Sequence, residues 1–378
     1  MLCTLLRYTF SKVGMKFAFH SHQKPKIEEV FMKIAILGCG AMGTVMGAFM
    51  TKGGCNVELI DSYQAHVDAL NEKGAHIIGT VDMTIPVKAI TPEQMEGIYD
   101  VVFLLTKQTA NEVVLPNLLP HLGPDSTVCT LQNGVPESYV SGIIGQERTV
   151  GGTVLWGATF IEPGVSELTQ DLSRNDHLFE IGEIDGSIGA RIQKVAGVLG
   201  YMGHAAITDS LMASRWGKLI LNACMSGMSA ATGSTFGGVL DNAAARACLS
   251  YLGREVQLCA SAAGYVLPTL LHEQSPETLA LKDRTMFEAN QEVFLTIYSD
   301  MRTAKASMLQ DLEKGKITEV KMINGYVCET GLKYGIPTPF NDKVVEIVSS
   351  IEAGKLPLNM SNVELFDRSL FEFGVTEC

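Results

Sequence analysis

Short, mostly apolar segments alternate with amphipathic stretches in the first half of the chain. These segments lie at 33–37, 56–60, 100–105 and 126–131. Runs of this length and composition are typical of strands buried in a parallel sheet. Apolar residues at helical spacing fill much of the sequence between them, and Gly53 and Gly74 mark the expected ends of two helices. This alternation predicts an α/β domain with a parallel sheet.

The pattern changes after residue 148 and again near residue 208. Between 149 and 186, β-branched runs separated by turn sequences predict further strands of the same sheet, and 187–199 has the spacing of a helix. Beyond 208 strand signals nearly vanish. Long helical windows follow at 210–226, 240–264, 276–315 and 317–334. We therefore expect an α/β domain over 32–208 and an all-helical domain over 209–378.

The loop after the first predicted strand has the sequence Gly38-Cys39-Gly40-Ala41-Met42-Gly43. In a strand–loop–helix context, the first glycine permits a tight turn, the second lets a pyrophosphate approach the backbone, and the third lets helix and strand pack closely. Backbone N–H groups and the positive end of the helix then bind the anion. The loop predicts a Rossmann-type dinucleotide-binding domain, with these six residues at the cofactor.

Asp61 ends the second predicted strand, 18 residues after Gly43. A carboxylate at this position accepts hydrogen bonds from a ribose 2′-hydroxyl and repels a 2′-phosphate. It therefore favours NAD over NADP. The same side chain can also cap the helix that follows.

The segment 216–228 carries Lys218, Asn222 and Ser226 at intervals of four among apolar neighbours. This spacing places all three on one helix face. A lysine in such a helix is rarely buried without a partner or a task, so we expect the face to line a cleft rather than to be solvated. Burial lowers the pKa of a lysine, and Lys218 can then protonate the alkoxide that develops when a hydride reaches a ketone. Asn222 is expected to position the substrate or to hold Lys218.

Composition narrows the classes of function. The chain is 46% hydrophobic and 19% charged, as in globular proteins, and its net charge of −12 argues against nucleic acid and anionic membranes as partners. The nine cysteines lack the paired spacing of a disulfide framework or a zinc site, so we expect free thiols and no metal. His66, in the helix after Asp61, is expected at the surface.

Residues 1–31 differ from the rest of the sequence. No acidic residue occurs between Met1 and Ile27, whereas several lysines and an arginine do. This composition suits an organelle presequence. It also suits an upstream start codon, an interpretation that we prefer because Met32 opens the first strand. We place 1–31 outside the fold and expect a cytoplasmic protein, with organelle targeting as the alternative.

Taken together, these motifs resemble the ketopantoate reductase (2-dehydropantoate 2-reductase) family, from Met32 to about Ile347. Besides the glycine loop, the resemblance is carried by Leu104-Leu-Thr-Lys107, Gln132-Asn-Gly134, Lys218-x-x-x-Asn222, Ser307-Met-Leu-Gln-Asp311, Thr318-Glu319, Asn324-Gly325 and Gly335-Ile-Pro-Thr-Pro339. It implies an α/β Rossmann-type domain followed by an all-helical C-terminal domain, with the active site in the cleft. The implied activity is reduction of a 2-oxo acid to the D-2-hydroxy acid by NADPH, in pantothenate biosynthesis. We also expect a homodimer.

The resemblance implies a role for individual residues. Lys218 would be the general acid, and Glu319 would bond to the substrate and support Lys218. Asn133 would hold the substrate or the nicotinamide ribose, and Lys107 would lie at the edge of the cofactor. Asn222 and Ser307 would contact the substrate, as would Ser226.

The sequence departs from the family pattern in three places. Ser226 and Gly227 stand where the family usually has asparagine and proline, which alters a substrate contact. Asp61 stands near the position of a basic residue in a family that generally uses NADPH. The segment 283–299 is longer than expected, and a tail from 356 to 378 extends past the usual end.

Three alternatives to ketopantoate reduction therefore stay open. The first is an NAD-dependent D-2-hydroxyacid dehydrogenase acting on branched 2-oxo acids, which Asp61 and Ser226 favour. The second is a β-hydroxyacid dehydrogenase, although its Ser-Gly-Gly substrate loop does not occur in the sequence. The third is a non-catalytic dinucleotide sensor, against which Lys218 and Glu319 argue.

Overall fold

The computed structural model describes residues 32–269 and 275–375, so the extension 1–31 lies outside the described residues. Twelve strands belong to the first part of the chain. They are β1 (Lys33–Leu37), β2 (Asn56–Ile60), β3 (Ala75–Gly79), β4 (Met83–Ile85), β5 (Lys88–Ile90), β6 (Tyr99–Leu104), β7 (Leu122–Thr130), β8 (Thr149–Val154), β9 (Ala158–Glu162), β10 (Val165–Leu168), β11 (Phe179–Glu183) and β12 (Ala205–Ile207). The predicted α/β domain is confirmed.

The main sheet has eight strands in the order β12-β11-β8-β7-β6-β1-β2-β5. The six strands from β8 to β5 run parallel, whereas β11 is antiparallel to β8. The chain proceeds from β1 to β2 in one direction across the sheet and later from β6 to β7 in the other. The order therefore reverses between β1 and β6, where open α/β sheets form their ligand-binding crevice.

One sequence expectation about this domain is wrong. Only part of 149–186 extends the main sheet, because β9 and β10 join β3 and β4 in a separate sheet of order β4-β3-β10-β9. The hairpin leaves the main sheet after Val154, and β10 pairs in parallel with β3. The second sheet packs against the first helix of the domain, which is consequently buried on most sides.

Five helices accompany these strands. They are α1 (Ala41–Lys52), α2 (Gln64–Lys73), α3 (Asn111–Leu118), α4 (Glu137–Ile144) and α5 (Ala190–Leu199). Gly54 follows the end of α1 with φ of +93°, a conformation that glycine adopts without strain. The predicted helix ends at 52 and 73 agree with the structure.

The rest of the described chain is helical. Its helices are α6 (Leu211–Leu221), a π-helical turn (Asn222–Ser226), α7 (Gly227–Thr232), α8 (Phe236–Asp241), α9 (Ala243–Ala262), α10 (Arg284–Ile297), α11 (Ser307–Glu313), α12 (Val320–Tyr334) and α13 (Pro339–Glu352). The predicted boundary at 208 falls between β12 and α6. The predicted window 276–315 is broken into α10, α11 and short 3₁₀ turns. No helix in the described ranges is long and apolar enough to cross a membrane.

The C-terminal tail completes the core of the helical domain. Phe371 lies edge-on to Tyr251 of α9 and to Phe340 of α13, with ring centroids 5.4 and 5.3 Å apart. Phe366 stacks on Phe340, and Asn362 donates to the Ala231 carbonyl at 3.0 Å. The tail that extends past the expected end of the family pattern is therefore a packed part of the fold.

Candidate active site

The glycine loop connects β1 to α1 at the point where the strand order reverses. Gly38 has φ of +96°, and a side chain there would meet the Thr106 backbone nitrogen at 2.5 Å. A side chain at Gly43 would meet the Gly38 carbonyl oxygen at 2.4 Å. At Gly40, by contrast, a Cβ would have no heavy atom within 4 Å. Two of the glycines are thus required by packing, and Gly40 leaves an open cradle at the start of α1 that fits a pyrophosphate.

Cys39 of this loop is fully buried, and its carbonyl oxygen accepts two hydrogen bonds. Thr44 Oγ1 donates to it at 2.6 Å and His66 Nε2 at 2.8 Å. The Gly164 N–H in turn donates to His66 Nδ1 at 3.0 Å, which assigns the proton of the neutral ring to Nε2. The expectation that His66 lies at the surface is wrong: it is 1% exposed, because the second sheet covers α2 at this point.

Asp61 lies at the carboxyl end of β2, beside the glycine loop. Its Oδ1 accepts from the Tyr63 N–H at 3.0 Å, so the side chain does stabilise the turn into α2. The residue is partly exposed. The cap of α2 therefore occupies one carboxylate oxygen of Asp61, and the carboxylate stays accessible beside the cradle at Gly40.

The loops after β6 and β7 are joined to each other through Gln132. Its Nε2 donates to the Thr106 carbonyl and to Asn111 Oδ1, both at 2.7 Å. Gln108 Nε2 donates to the Asn133 carbonyl oxygen. These bonds fix the segments that carry Lys107 and Asn133 at the carboxyl edge of the sheet.

Lys218 lies on α6, which crosses from the sheet domain into the helical domain. Its Nζ donates to the Val154 carbonyl at 2.7 Å, at the end of β8. Burial and, to a smaller extent, the positive charge of Arg215 together lower the pKa of Lys218 to about 7. No carboxylate contacts Lys218 within the described residues. The group is therefore balanced between its charged and neutral forms near neutral pH, which suits a proton donor.

The predicted polar face of this helix is present in the structure. Lys218, Asn222 and Ser226 are all partly buried, whereas the intervening Leu219, Ile220, Cys224 and Met225 are buried almost completely. No hydrogen bond of the Asn222 or Ser226 side chain occurs within ranges 32–269 and 275–375. Both are therefore available to a ligand.

The chain forms a π-helical turn at the same place. Asn324 Nδ2 donates to the Ala223 carbonyl at 3.0 Å, so a side chain from α12 takes one carbonyl of the helical ladder. A Cβ at Gly227 would lie 3.0 Å from both polar atoms of the Asn324 amide. Glycine at 227 thus permits a close contact with α12. Single π turns of this kind are frequent at functional sites.

Glu319 joins the helical domain to the loops of the sheet domain. Its Oε1 accepts from the Gln108 N–H at 2.9 Å, and it also bonds to the side chain of Asn133. Burial raises the pKa of Glu319, although the Gln108 N–H and the charge of Lys107 oppose this. Lys107 forms an ion pair with Asp311 of α11. The structure thus brings Lys107, Asn133 and Glu319 together.

In the described part of the chain, two of the expected site residues, Glu319 and Ser307, form no hydrogen bond with Lys218. Glu319 makes no direct bond to Lys218 in the described part of the chain, so any support it gives passes through the Asn133 loop. Ser307 is the first residue of α11 and is exposed. It lies on the same short helix as Asp311, and thus on the helical side of the cleft.

Arg215 is a residue at this site that the sequence analysis did not identify. It is 1% exposed and bonds to Glu137 and to the carbonyls of Thr130 and Gln132. The signal that the sequence offered was the position of Arg215, a charged residue inside the apolar stretch that precedes Lys218. Its acceptors lie about 80 residues away in the chain, so the sequence did not reveal them.

In the described residues, no group of three or more His, Cys, Asp or Glu side chains is placed to hold a metal ion. The site instead combines an open glycine cradle, a lysine of lowered pKa and polar side chains without partners. This combination fits a dinucleotide and a small polar substrate.

Comparison with curated proteins gives relatives over most of the chain. The 2-dehydropantoate 2-reductase of Mesorhizobium japonicum is 28% identical over 340 residues, which cover 84% of this chain and 97% of the relative. The 2-dehydropantoate 2-reductase of Pyrococcus horikoshii is 27% identical over 326 residues, 85% of this chain and 98% of the relative.

Solved structures show the same fold. D-mandelate dehydrogenase with NADH and anilino(oxo)acetate superposes with a TM-score of 0.73 at 23% identity, covering 86% of this chain and 99% of the other. A PanE/ApbA family ketopantoate reductase from Ralstonia eutropha gives 0.72 at 24% identity, with the same coverage. A dimeric ketopantoate reductase from Staphylococcus aureus gives 0.68 at 15%, covering 86% and 100%.

Family models match both parts of the chain. The model for ketopantoate reductase PanE/ApbA matches residues 34–184, and the model for the C-terminal part of the same family matches 210–352. Residues 185–209, which include α5 and β12, separate the two matches, and together the matches include the glycine loop, Lys218 and Glu319. The chain therefore belongs to the ketopantoate reductase family of oxidoreductases.

Proposed function

We propose that the protein reduces a 2-oxo acid to the D-2-hydroxy acid, with ketopantoate as the substrate and Lys218 as the general acid. The observation that carries this proposal is the state of Lys218. It is a partly buried lysine with a pKa of about 7. It lies beside the polar side chains of Asn222 and Ser226. A structural lysine would instead be paired with a carboxylate or extend into water.

The nicotinamide cofactor supplies the hydride for this reaction. Gly40 and the N-terminal end of α1 would hold its pyrophosphate, and Asp61 would bond to its adenosine ribose. The segment 105–108 and Asn133 lie at the next strand ends and would border its nicotinamide half. These positions follow the crevice along the carboxyl ends of β2, β1, β6 and β7.

Lys218 handles the proton. As the carbonyl carbon accepts the hydride, negative charge develops on its oxygen, and the Lys218 ammonium stabilises that charge and transfers a proton to it. Asn222 and Ser226 donate or accept hydrogen bonds along the same face and orient the carbonyl. Ser307, on the helical side of the cleft, would contact the substrate as well. A positioned general acid typically contributes about 10²–10⁴ in rate.

The protonation state gives the reaction a definite pH dependence. Reduction requires charged Lys218, so kcat/KM for reduction should fall as the pH rises through about 7. Oxidation of the hydroxy acid requires the neutral amine and should rise over the same interval. Parallel profiles in the two directions would contradict the role of Lys218.

The substrate and cofactor can be determined in one assay. NADH and NADPH oxidation would be followed with ketopantoate and with 2-oxoisovalerate, using Lys218→Ala as the variant. Turnover of 2-oxoisovalerate without turnover of ketopantoate would reject ketopantoate as the substrate. If Lys218→Ala kept full turnover, the general-acid role would be wrong. If the wild type bound the cofactor normally but turned over neither substrate, a non-catalytic dinucleotide sensor would be favoured.

A second candidate function is an NAD-dependent D-2-hydroxyacid dehydrogenase. Asp61 favours it, since the carboxylate lies at the end of β2 where a 2′-phosphate would be repelled. Ser226 favours it too, because it stands where the family usually has an asparagine that contacts the substrate. The same fold occurs in a D-mandelate dehydrogenase that was solved with NADH, so the fold itself permits either activity. A preference for NADH with branched 2-oxo acids would support this candidate.

Oligomeric state and location complete the proposal. We retain a homodimer in the cytoplasm, a state that light scattering after size exclusion and fractionation of cells would test. A monomer at micromolar concentration, or enrichment in an organelle, would overturn the respective part.

A further inference from the structure

A buried ion pair crosses the junction between the two domains. Arg215 of α6 and Glu137, the first residue of α4, are each 1% exposed at the side chain. Arg215 Nε donates to Glu137 Oε1 at 2.6 Å, and Nη2 lies 2.5 Å from the same oxygen. A charged pair without access to water is expensive to form, so it requires a structural or functional explanation.

The remaining donors of Arg215 bind the end of β7. Nη1 donates to the Gln132 carbonyl at 2.7 Å and Nη2 to the Thr130 carbonyl at 2.9 Å. Asn133 is the next residue after this segment. Lys218 lies three residues after Arg215 on the same helix, and so on a neighbouring part of its surface. One guanidinium therefore connects the backbone that presents Asn133 to the helix that presents Lys218.

The Glu137 side chain also packs closely against β8. A Cβ at Gly151 of β8 would lie 2.1 Å from Glu137 Oε1, so only glycine leaves room for the carboxylate. Glu137 Oε2 is buried and has no hydrogen-bond partner among the described residues. The carboxylate thus offsets the charge of Arg215 through one oxygen, Oε1.

We propose that Arg215 and Glu137 form a positioning pair for the reaction: Arg215 fixes the Asn133 loop against α6, so that Asn133 and Lys218 keep a fixed relative position, and Glu137 neutralises the buried charge of Arg215. This inference rests on the proposed function for the consequence in catalysis. The geometric part, a link from β7 to α6, holds independently of which substrate is used. Arg215 does not contact the reacting atoms and acts through Asn133 and Lys218.

The other titratable groups around the pair do not replace it. Cys129 of β7 faces both Arg215 and Glu137, and its pKa is raised to about 12 by burial, so it stays neutral. Glu183 of β11 also faces Cys129 but is paired with Arg191. Tyr326 of α12 faces Glu137, and burial raises its pKa to about 12. The charge that acts on Lys218 is accordingly that of Arg215.

The test measures the titration of Lys218 directly in the full-length protein. Trace acetic anhydride acetylates only the neutral amine, and mass spectrometry of the Lys218 peptide across pH 5–10 gives the labelling midpoint. This readout does not depend on turnover. If kinetics show that Lys218 is not catalytic, the midpoint still reports whether the pair acts on it, so the two hypotheses can fail separately.

Three variants separate charge from geometry. Glu137→Gln removes a charge but no hydrogen bond, because only Oε1 accepts, and it should leave the midpoint near that of the wild type, since Arg215 is the charge that acts on the pKa of Lys218. Arg215→Gln should move it about one unit higher. Arg215→Lys keeps the charge but loses the fork that reaches three acceptors. It should leave the midpoint near that of the wild type while raising KM for the 2-oxo acid several-fold.

A matched control is Glu58→Gln. Glu58 is a buried carboxylate of β2 that accepts from Tyr99 OH at 2.6 Å, and β2 lies four strands from β8, roughly 19 Å away. Its variant should leave the Lys218 midpoint unchanged. The proposal is overturned if Arg215→Gln leaves the midpoint unchanged or lowers it, or if Arg215→Lys has wild-type KM. Circular dichroism restricts the comparison to variants that fold, and the KM of Arg215→Lys alone decides the geometric part if Arg215→Gln does not fold.

Discussion

Replacement of Lys218 by methionine should strongly reduce activity and yet stabilise the protein at neutral and acidic pH. The lysine pays a desolvation penalty in the folded state, which appears as the drop of its pKa from 10.5 to about 7. A gap of this size corresponds to about 5 kcal/mol. Lys218 is only partly buried, so water and local relaxation reduce the penalty to about 2–4 kcal/mol. Loss of the hydrogen bond to Val154 costs about 1 kcal/mol in return.

The sign of the pH dependence follows from the same values. Between about pH 7 and 10.5 the unfolded lysine binds more protons than the folded one, so wild-type stability rises with pH through that window. Below pH 7 the penalty is present in full. Lys218→Met should therefore exceed the wild type by about 1–3 kcal/mol at pH 6. The advantage should shrink as the pH approaches 10 and then reverse slightly.

Urea unfolding of both proteins at pH 6, 7, 8 and 9, followed by circular dichroism, measures this difference. Lys321→Met, on the exposed face of α12, is the control and should give no difference that changes with pH. The reasoning fails if Lys218→Met is less stable at pH 6, or if its advantage is the same at every pH. A drop in turnover of about 10²–10⁴ should accompany the stabilisation.

Three further predictions concern the cofactor and the tail. Gly40→Ala should fold normally but raise the Kd for NADH at least tenfold in a fluorescence titration. Gly43→Ala should instead destabilise the fold by about 1–3 kcal/mol in thermal unfolding, because its Cβ would meet the Gly38 carbonyl. Asp61→Asn keeps an acceptor for the Tyr63 N–H and removes the charge, so the ratio of kcat/KM for NADPH to NADH should rise about tenfold; an unchanged ratio would exclude Asp61 from cofactor selection. Phe371→Ala should cost about 3 kcal/mol of stability with kcat retained, and a variant as stable as the wild type would mean that the tail is not part of the core.

The sequence predicts best where the signal is local. The strand–glycine loop–helix at 33–52 and the helix that carries Lys218 are defined by residues within one or two turns of each other, and both are present in the structure. The second sheet was not predictable in this way. Its strands β3 and β10 are separated by about 85 residues in the chain, and each is too short and too amphipathic to reveal its partner.

Polar residues are the other place where local patterns fall short. His66 and Arg215 have the composition of surface residues, and each is buried because a distant segment supplies its partner. For His66 that segment is the turn at Gly164, and for Arg215 it is the start of α4 at Glu137. Hydropathy assigns such residues to solvent, since it carries no information about which segment will cover them.

The contacts at the cleft have a consequence for how ligands enter it. Several side chains that are expected to bind ligands are bonded to one another: Asn133 to Glu319, and Lys107 to Asp311. A substrate that binds Asn133 must first break the bond between Asn133 and Glu319. Loss of a bond to a charged group costs about 1.5–3 kcal/mol, and the new bond to the substrate offsets this cost. Lys218 is different, because its acceptor among the described residues is the Val154 backbone carbonyl, which a substrate oxygen would replace at a smaller cost. The proposed proton donor, Lys218, would therefore exchange its partner at the lowest cost, while the bonds of the surrounding loops keep the two domains together.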